Sequence, residues 1–286
     1  MPINTVTIIG VGLIGGSFAK GLKEAGLVKT VIGFGKNETN LQKAQQLGVV
    51  DSYTTDIETA VKDSDLIMLS VPLGVMQTVL EQMKPFIKPG AIITDAGSAK
   101  CSVISAVETV FGELPAHFVP GHPIAGKEKS GVEAADPKLF VDHRVILTPT
   151  ESTDSESVKV VTDLWAALGA NVESMPASHH DDVFAATSHL PHLLAFSLVD
   201  MLDEHPELGN VFPYTAGGFR DFTRIASSDA TMWRDIAVTN SDAIVKWLKN
   251  YQQSIAELTD LVENKDGEQL HKLFAEAKVA RDKHIA

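Results

Sequence analysis

The chain has 286 residues, of which 44% are hydrophobic, 21% charged and 6% aromatic, a balance that excludes a disordered, fibrous or membrane-embedded protein. Its 24 basic residues against 37 acidic ones leave a net charge of −13, which repels nucleic acid and anionic membrane surfaces. One cysteine, Cys101, excludes an internal disulfide and a cysteine-built zinc site; with no secretory leader and no long apolar run, a cytoplasmic protein is expected.

Strand-like and helix-like segments alternate through the first half. Thr5–Ile9 is β-branched and enters glycines at once, and a helix with apolar positions Ile14, Phe18, Leu22 and Ala25 follows. The turn between them, Gly10-Val11-Gly12-Leu13-Ile14-Gly15, has the spacing G-x-G-x-x-G. In the context strand–turn–helix this spacing points to a dinucleotide. Gly10 permits the tight turn, Gly12 lets the backbone approach a pyrophosphate, and Gly15 permits close helix packing. The free N–H groups of the helix start, at Leu13 and Ile14, supply the anion site.

A second strand, Thr30–Phe34, leads to Gly35 and Lys36. An NAD enzyme carries an acid at this place for the ribose 2′-hydroxyl. Gly35 supplies none and Lys36 could neutralise a 2′-phosphate, so the expected coenzyme is NAD or NADP, and the sequence leaves the choice open. A helix over 38–47 comes next. Asp65–Val71 is nearly all apolar, as befits a parallel strand covered on both faces. Its carboxyl end, Ser70 and Val71, is expected to line the coenzyme crevice with Pro72, which opens a helix through Met83.

Ala91–Thr94 reads as a strand, Ala99–Phe111 as a helix and Phe118–Gly121 as a last short strand. Such alternation implies a doubly wound parallel sheet, a Rossmann domain. The polar run Glu151–Ser157 marks a softening of the chain, and a boundary is expected near 170, giving domains 1–170 and 171–286. Asn171–Met175 reads as a final strand, and the rest as helical. Leu193–Leu202 is apolar around most of its circumference and is expected to be a buried helix. Ile244, Leu248, Tyr251, Ile255, Leu258 and Val262 form one stripe, and Leu270–Ala277 a shorter helix. A helical domain completed by a second copy in a homodimer follows from that stripe.

Candidates for chemistry cluster after the strands. His122, in Gly121-His122-Pro123, follows a strand end and can take a proton at neutral pH. Ser98, in Asp95-Ala96-Gly97-Ser98-Ala99-Lys100, is expected to cap the next helix. His189 and His192 stand three apart around Pro191, with no third ligand at useful spacing, so no metal is expected. Asp181 and Asp182 read as a solvated helix start. Arg220 and Arg224, after Gly217 and Gly218, suit a carboxylate clamp on a helix start, and Trp233 is either a pocket wall or core.

With these residues assembled, the chain resembles the arogenate/prephenate (cyclohexadienyl) dehydrogenases over about residues 5–285. The resemblance rests on the glycine turn, Asp95–Lys100, Gly121–Gly126 running on to Glu128 and Gly131, Ser188–His192, and Phe219–Ala226 followed by Met232-Trp233-Arg234-Asp235. It implies oxidative decarboxylation of prephenate, and of arogenate, with hydride passing to NAD(P). It also implies that His122 takes the proton of the ring hydroxyl and that Ser98 supports both. By the same resemblance His192, His189 and Arg224 hold the substrate, Glu128 orders the pocket entrance and Trp233 packs beside it. No mutase or regulatory domain is expected on either side. Rival readings are another Rossmann-plus-helical reductase, such as a β-hydroxyacid dehydrogenase or a pyrroline carboxylate reductase, and a dinucleotide-sensing regulator.

Overall fold

Successive residues of a strand face opposite sides of its sheet, so a strand apolar at every position needs cover on both faces. A computed structural model, which describes residues 3–127, 129–205, 207 and 209–285, supplies that cover. Through Val119 the order is β1 (Thr5–Ile9), α1 (Leu13–Glu24), β2 (Thr30–Phe34), α2 (Glu38–Gln46), β3 (Ser52–Thr54), α3 (Ile57–Val61), β4 (Leu66–Leu69), α4 (Met76–Met83), β5 (Ile92–Asp95), α5 (Lys100–Phe111) and β6 (Phe118–Val119). These strands form a parallel sheet in the order β3-β2-β1-β4-β5-β6. The order reverses between β1 and β4, and at such a reversal the carboxyl ends of the strands open a crevice.

The alternation sorts the core into two layers. Val6, Ile8, Leu66 and Met68 face Phe18, Leu22 and Leu41, while Ile9, Ile67 and Leu69 face Met76, Leu80, Val103 and Val107. The doubly wound parallel sheet read from the sequence is therefore present. Pro72 does not itself begin a helix: a single 3-10 turn, Leu73–Val75, precedes α4. The short β3 and α3 escaped the sequence reading, having only three and five residues in which to show a period.

Phe118–Gly121 is not one strand. Pro120 lacks an N–H for the ladder, and the chain leaves the parallel sheet there. A second sheet follows, made of β7 (Gly121–Pro123), β8 (Arg144–Leu147) and, after α6 (Ser155–Ala167), β9 (Asn171–Ser174). The polar run Glu151–Ser157 is a helix start and not a boundary. Asp154 accepts the Ser157 N–H at 2.9 Å as the cap of α6. That helix sends Trp165 into the core against Phe18 and Phe140, with ring centroids 4.5 and 4.8 Å away. The expected division at 170/171 thus falls inside the second sheet, where β9 pairs in parallel with β8.

Helices follow: α7 (Ala177–Phe184), a π-helical turn (Ala185–His189), α8 (Leu190–Asp203), α9 (Gly217–Thr223) and α10 (Ala230–Thr239). Pro191 explains the π turn, because its ring lacks the N–H and crowds the carbonyl four residues back. One compact unit runs as far as Ser241, and a second starts at Asp242. The second holds nearly all of α11 (Ser241–Glu263) and α12 (Gly267–His284).

The expected burial of Leu193–Leu202 is corrected. On α8 only Leu190 and Ala195 are buried; Leu193, Leu194, Phe196, Leu198, Val199 and Leu202 are half-buried, and Met201 is exposed. In the second unit Ile244 is buried, but Tyr251, Ile255 and Val262 of the stripe are exposed, as are Phe274 and Val279 on α12. Among the described residues no helix is long and apolar enough to cross a membrane.

Candidate active site

The glycine turn lies at the carboxyl edge of the sheet, beside the end of β4. Gly10 has φ +94°, and a Cβ there would stand 2.5 Å from the Ser70 carbonyl oxygen. Ser70 Oγ donates to the Gly10 carbonyl at 2.7 Å, locking the turn against β4. A Cβ on Gly15 would overlap Ser70 Oγ and the Gly10 carbonyl. Gly12 differs, for nothing lies within 4 Å of the place its Cβ would take. The first turn of α1 has no acidic residue and no side-chain cap. Open space before uncapped N–H groups at Leu13 and Ile14 fits a pyrophosphate.

Val71 packs on Gly10, and Pro72 leads into the turn before α4. Gly35 follows the end of β2, where a Cβ would meet only the Leu41 side chain at 3.6 Å, so the site has room for a larger residue. Lys36 is exposed beside it.

Along the same edge, the turn after β5 is built on a buried ion pair. Asp95 and Lys100 side chains are fully buried and paired. Asp95 also accepts the N–H groups of Gly97 at 2.7 Å and Gly121 at 3.0 Å, while Lys100 Nζ donates to the Gly121 carbonyl at 2.6 Å. Burial lowers the Lys100 pKa, and the Asp95 carboxylate opposes that shift. The pair fixes β7, and hence His122, against the end of β5. Ser98 does not cap α5, contrary to the sequence reading; no side chain of its own segment does so. The cap comes from Asp181 on α7, whose carboxylate accepts Lys100 N–H at 2.7 Å and Cys101 N–H at 2.8 Å. Ser98 is left half-buried in the turn, with its hydroxyl uncommitted among the described residues. The Cys101 thiol is pushed up to about 12 by burial and then by Asp181, which removes it as a nucleophile.

Asp181 was read as solvated, yet it is buried, and it anchors a chain of imidazoles. His180 Nδ1 lies 2.8 Å from its carboxylate, and His180 Nε2 lies 2.9 Å from His122 Nδ1. Phe184 meets both rings, at centroid distances of 4.5 and 5.1 Å. Burial lowers the His122 pKa well below its ordinary value, helped by His180, Lys100 and His189. Burial works against the ionised form of Asp181, but the His180 N–H and the Lys100 and Cys101 amides outweigh it and lower its pKa. Nothing in the local pattern His179-His180-Asp181-Asp182 separates a buried relay from a polar helix start, which is why His180 was missed.

A second group gathers on Trp233 of α10, which is buried. His192 stacks on the indole at 3.7 Å between centroids and 20° between planes, and His189 approaches its edge at 6.1 Å. The i, i+3 spacing across Pro191 thus puts both histidines on one wall. His192 Nδ1–H donates to the Ser188 carbonyl at 2.9 Å, leaving Nε2 as an acceptor. His189 Nδ1 receives the Asn240 amide at 3.2 Å, and burial lowers its pKa to about 4. Asn240, unmarked in the sequence, also donates to the Asp181 carbonyl at 2.9 Å and so ties the two groups together. The Trp233 indole N–H is buried without an acceptor among the described residues.

Arg224 follows α9, at its carboxyl end and not at a helix start as read. Its 3-10 turn, Arg224–Ser227, packs against α8, which carries His192. Glu128 lies outside the described residues. Among the described residues no group of three or more His, Cys, Asp or Glu could hold a metal ion.

Two family models match the chain. Residues 18–174 match the nucleotide-binding domain of prephenate dehydrogenase, starting after the glycine turn, and residues 176–276 match its dimerization domain. A cyclohexadienyl dehydrogenase of Zymomonas mobilis is 38% identical over 279 residues, covering 96% of this chain and 94% of that one. The structure of an Aquifex aeolicus prephenate dehydrogenase in complex with hydroxyphenyl propionate and NAD+ superposes with TM-score 0.92 at 39% identity, over 99% of both chains. A Synechocystis arogenate dehydrogenase gives TM-score 0.82 at 28% identity, over 98% of this chain and all of that one.

Proposed function

The chain belongs to the prephenate dehydrogenase family, and from that premise we propose how its residues carry out the NAD(P)-dependent oxidative decarboxylation of prephenate or arogenate. One observation carries the reading: an imidazole, His122, bound at Nδ1 and without a partner at Nε2 among the described residues, sits on β7, which the Asp95–Lys100 pair holds against the end of β5 on the parallel sheet that also bears the glycine turn. A nicotinamide dinucleotide held at the Gly10–Gly15 turn and the N–H groups of Leu13 and Ile14 would supply the acceptor for the hydride of the ring carbinol. Hydride and carbon dioxide both leave, and the pair of the broken C–C bond aromatises the ring. The sum releases no proton. His122 Nε2 therefore borrows the hydroxyl proton and returns it to a phenolic oxygen, whose pKa near 10 keeps it protonated at neutral pH.

In this proposal Ser98 bonds the reacting hydroxyl and supports His122. His192, His189 and Trp233 wall the ring, Arg224 pairs with a carboxylate, and Glu128 orders the entrance. The coenzyme is held by the amino-terminal parallel sheet, which with β7 also brings Ser98 and His122 to the substrate, while the helices after β9 supply the rest of the substrate wall and the seam to a partner copy, in a cytoplasmic enzyme. Prephenate and arogenate differ only at the side chain, away from the reacting carbon, so the same chemistry serves either substrate. Offering each with NAD+ and with NADP+ while following absorbance near 340 nm tests the reading. Absence of turnover in all four mixtures refutes it.

Three further outcomes are expected. Arg224→Ala should raise KM at least about 30-fold, the lower end of the cost of unpairing a charge that substrate covers; an unchanged KM removes Arg224 from the carboxylate site. Gly35→Asp, which the space at residue 35 admits, should shift the ratio of kcat/KM values toward NAD+ and away from NADP+. The exposed stripe of α11 is proposed as the seam of a homodimer. Ile255→Asp combined with Val262→Asp should then convert a dimer to a monomer by light scattering, and a retained dimer places the seam elsewhere.

A further inference from the structure

We propose that His180 and Asp181 act as a positioning pair that fixes His122 in its Nδ1–H tautomer, so that Nε2 always faces the substrate as an acceptor. The inference rests on the role given to His122 above and adds to it the residues that set its state.

The assignment follows from donors and acceptors alone. The Asp181 carboxylate can only accept, and it already receives the amides of Lys100 and Cys101. His180 Nδ1, 2.8 Å away, must then carry a proton toward it. A neutral imidazole has one N–H, so His180 Nε2 is left as a lone pair. That lone pair faces His122 Nδ1 at 2.9 Å, and the hydrogen there belongs to His122. Nε2 of His122, with no partner among the described residues, holds the free lone pair. When Nε2 takes a proton, the imidazolium donates more strongly through His180 toward Asp181, and the charge is paired without moving a second proton.

The surroundings keep His180 neutral. It is fully buried, and burial lowers its pKa; the Asp181 hydrogen bond opposes that shift and Lys100 adds to it. Phe184 packs on both rings, edge-on to His122 and tilted against His180, and holds them in place. Asp181 is itself clamped between α7 and the start of α5, so the relay shares its anchor with the turn bearing Ser98. The same logic of base, orienting hydrogen bond and carboxylate recurs in unrelated hydrolases, where a wrong tautomer costs several orders of magnitude in rate.

The test uses His180→Leu, which removes the acceptor, and His180→Gln, whose amide oxygen reaches the place of Nε2. His180→Leu should lower kcat about 100-fold while KM for the substrate and coenzyme affinity change less than about threefold. His180→Gln should recover at least about a tenth of the wild-type rate, since it restores an acceptor. Nitrogen-15 NMR of histidine-labelled enzyme should show His122 protonated at Nδ1 in the wild type and mixed in His180→Leu. A wild-type His122 protonated at Nε2, a His180→Leu rate within about threefold of wild type, or a His180→Gln rate no better than that of His180→Leu each overturns the proposal. If His122→Asn itself keeps full turnover, the general-base role fails instead, while the NMR readout still tests the tautomer.

Discussion

His122→Asn lowers kcat by about 10³-fold and leaves coenzyme affinity unchanged, which kinetics and coenzyme titration together would measure. The size is that of a lost general base. Asn matches the position of Nδ1, so it can still reach toward His180, but it has no basic nitrogen where Nε2 stood. The coenzyme turn is built separately, from Gly10, Ser70 and the start of α1, and does not depend on the imidazole. The pH profile should agree in sign. Burial, then His180, Lys100 and His189, push the His122 pKa well below 6.5. The base is therefore neutral and competent at pH 7, stays so below pH 6.5, and loses activity only as pH falls through its lowered value. A wild-type acid limb centred above pH 6.5, or a His122→Asn variant within tenfold of wild type, would contradict this role.

The largest effect on stability is expected from Asp95→Asn, at about 3–5 kcal/mol by denaturant unfolding. Removing one partner leaves the Lys100 ammonium fully buried without a paired carboxylate, Asp181 acting on it only through space. The substitution also weakens the acceptor of the Gly97 and Gly121 amides. Lys100→Met should destabilise as well. The double variant should lose less than the sum of the two, because it no longer strands a charge. A loss below about 1 kcal/mol for Asp95→Asn would show that the pair does not organise this turn. Because Lys100 also donates to the Gly121 carbonyl, residual activity of the folded variants should fall too, as β7 loosens beneath His122.

Local pattern alone determined the layered half of this protein. A run of apolar β-branched residues, a glycine turn and a helical stripe leave little freedom, because each strand must be covered on both faces and each turn must permit its own φ. The glycine turn, with Gly10 and Gly15 packed against Ser70, was legible for that reason; His122 was expected after the end of a strand and is instead the middle residue of β7. Only the tertiary structure decided the rest. Pro120 moves the chain into a second sheet, Asp181 caps a helix 80 residues away in sequence, and His180, unmarked in the sequence, becomes the partner of His122. These depend on which donor meets which acceptor after packing, and hydrogen bonds across long sequence separations leave no periodicity to read. The half-buried α8 and the exposed stripe of α11 make the same point from the other side: hydrophobicity marks a surface for burial, but not which chain will cover it.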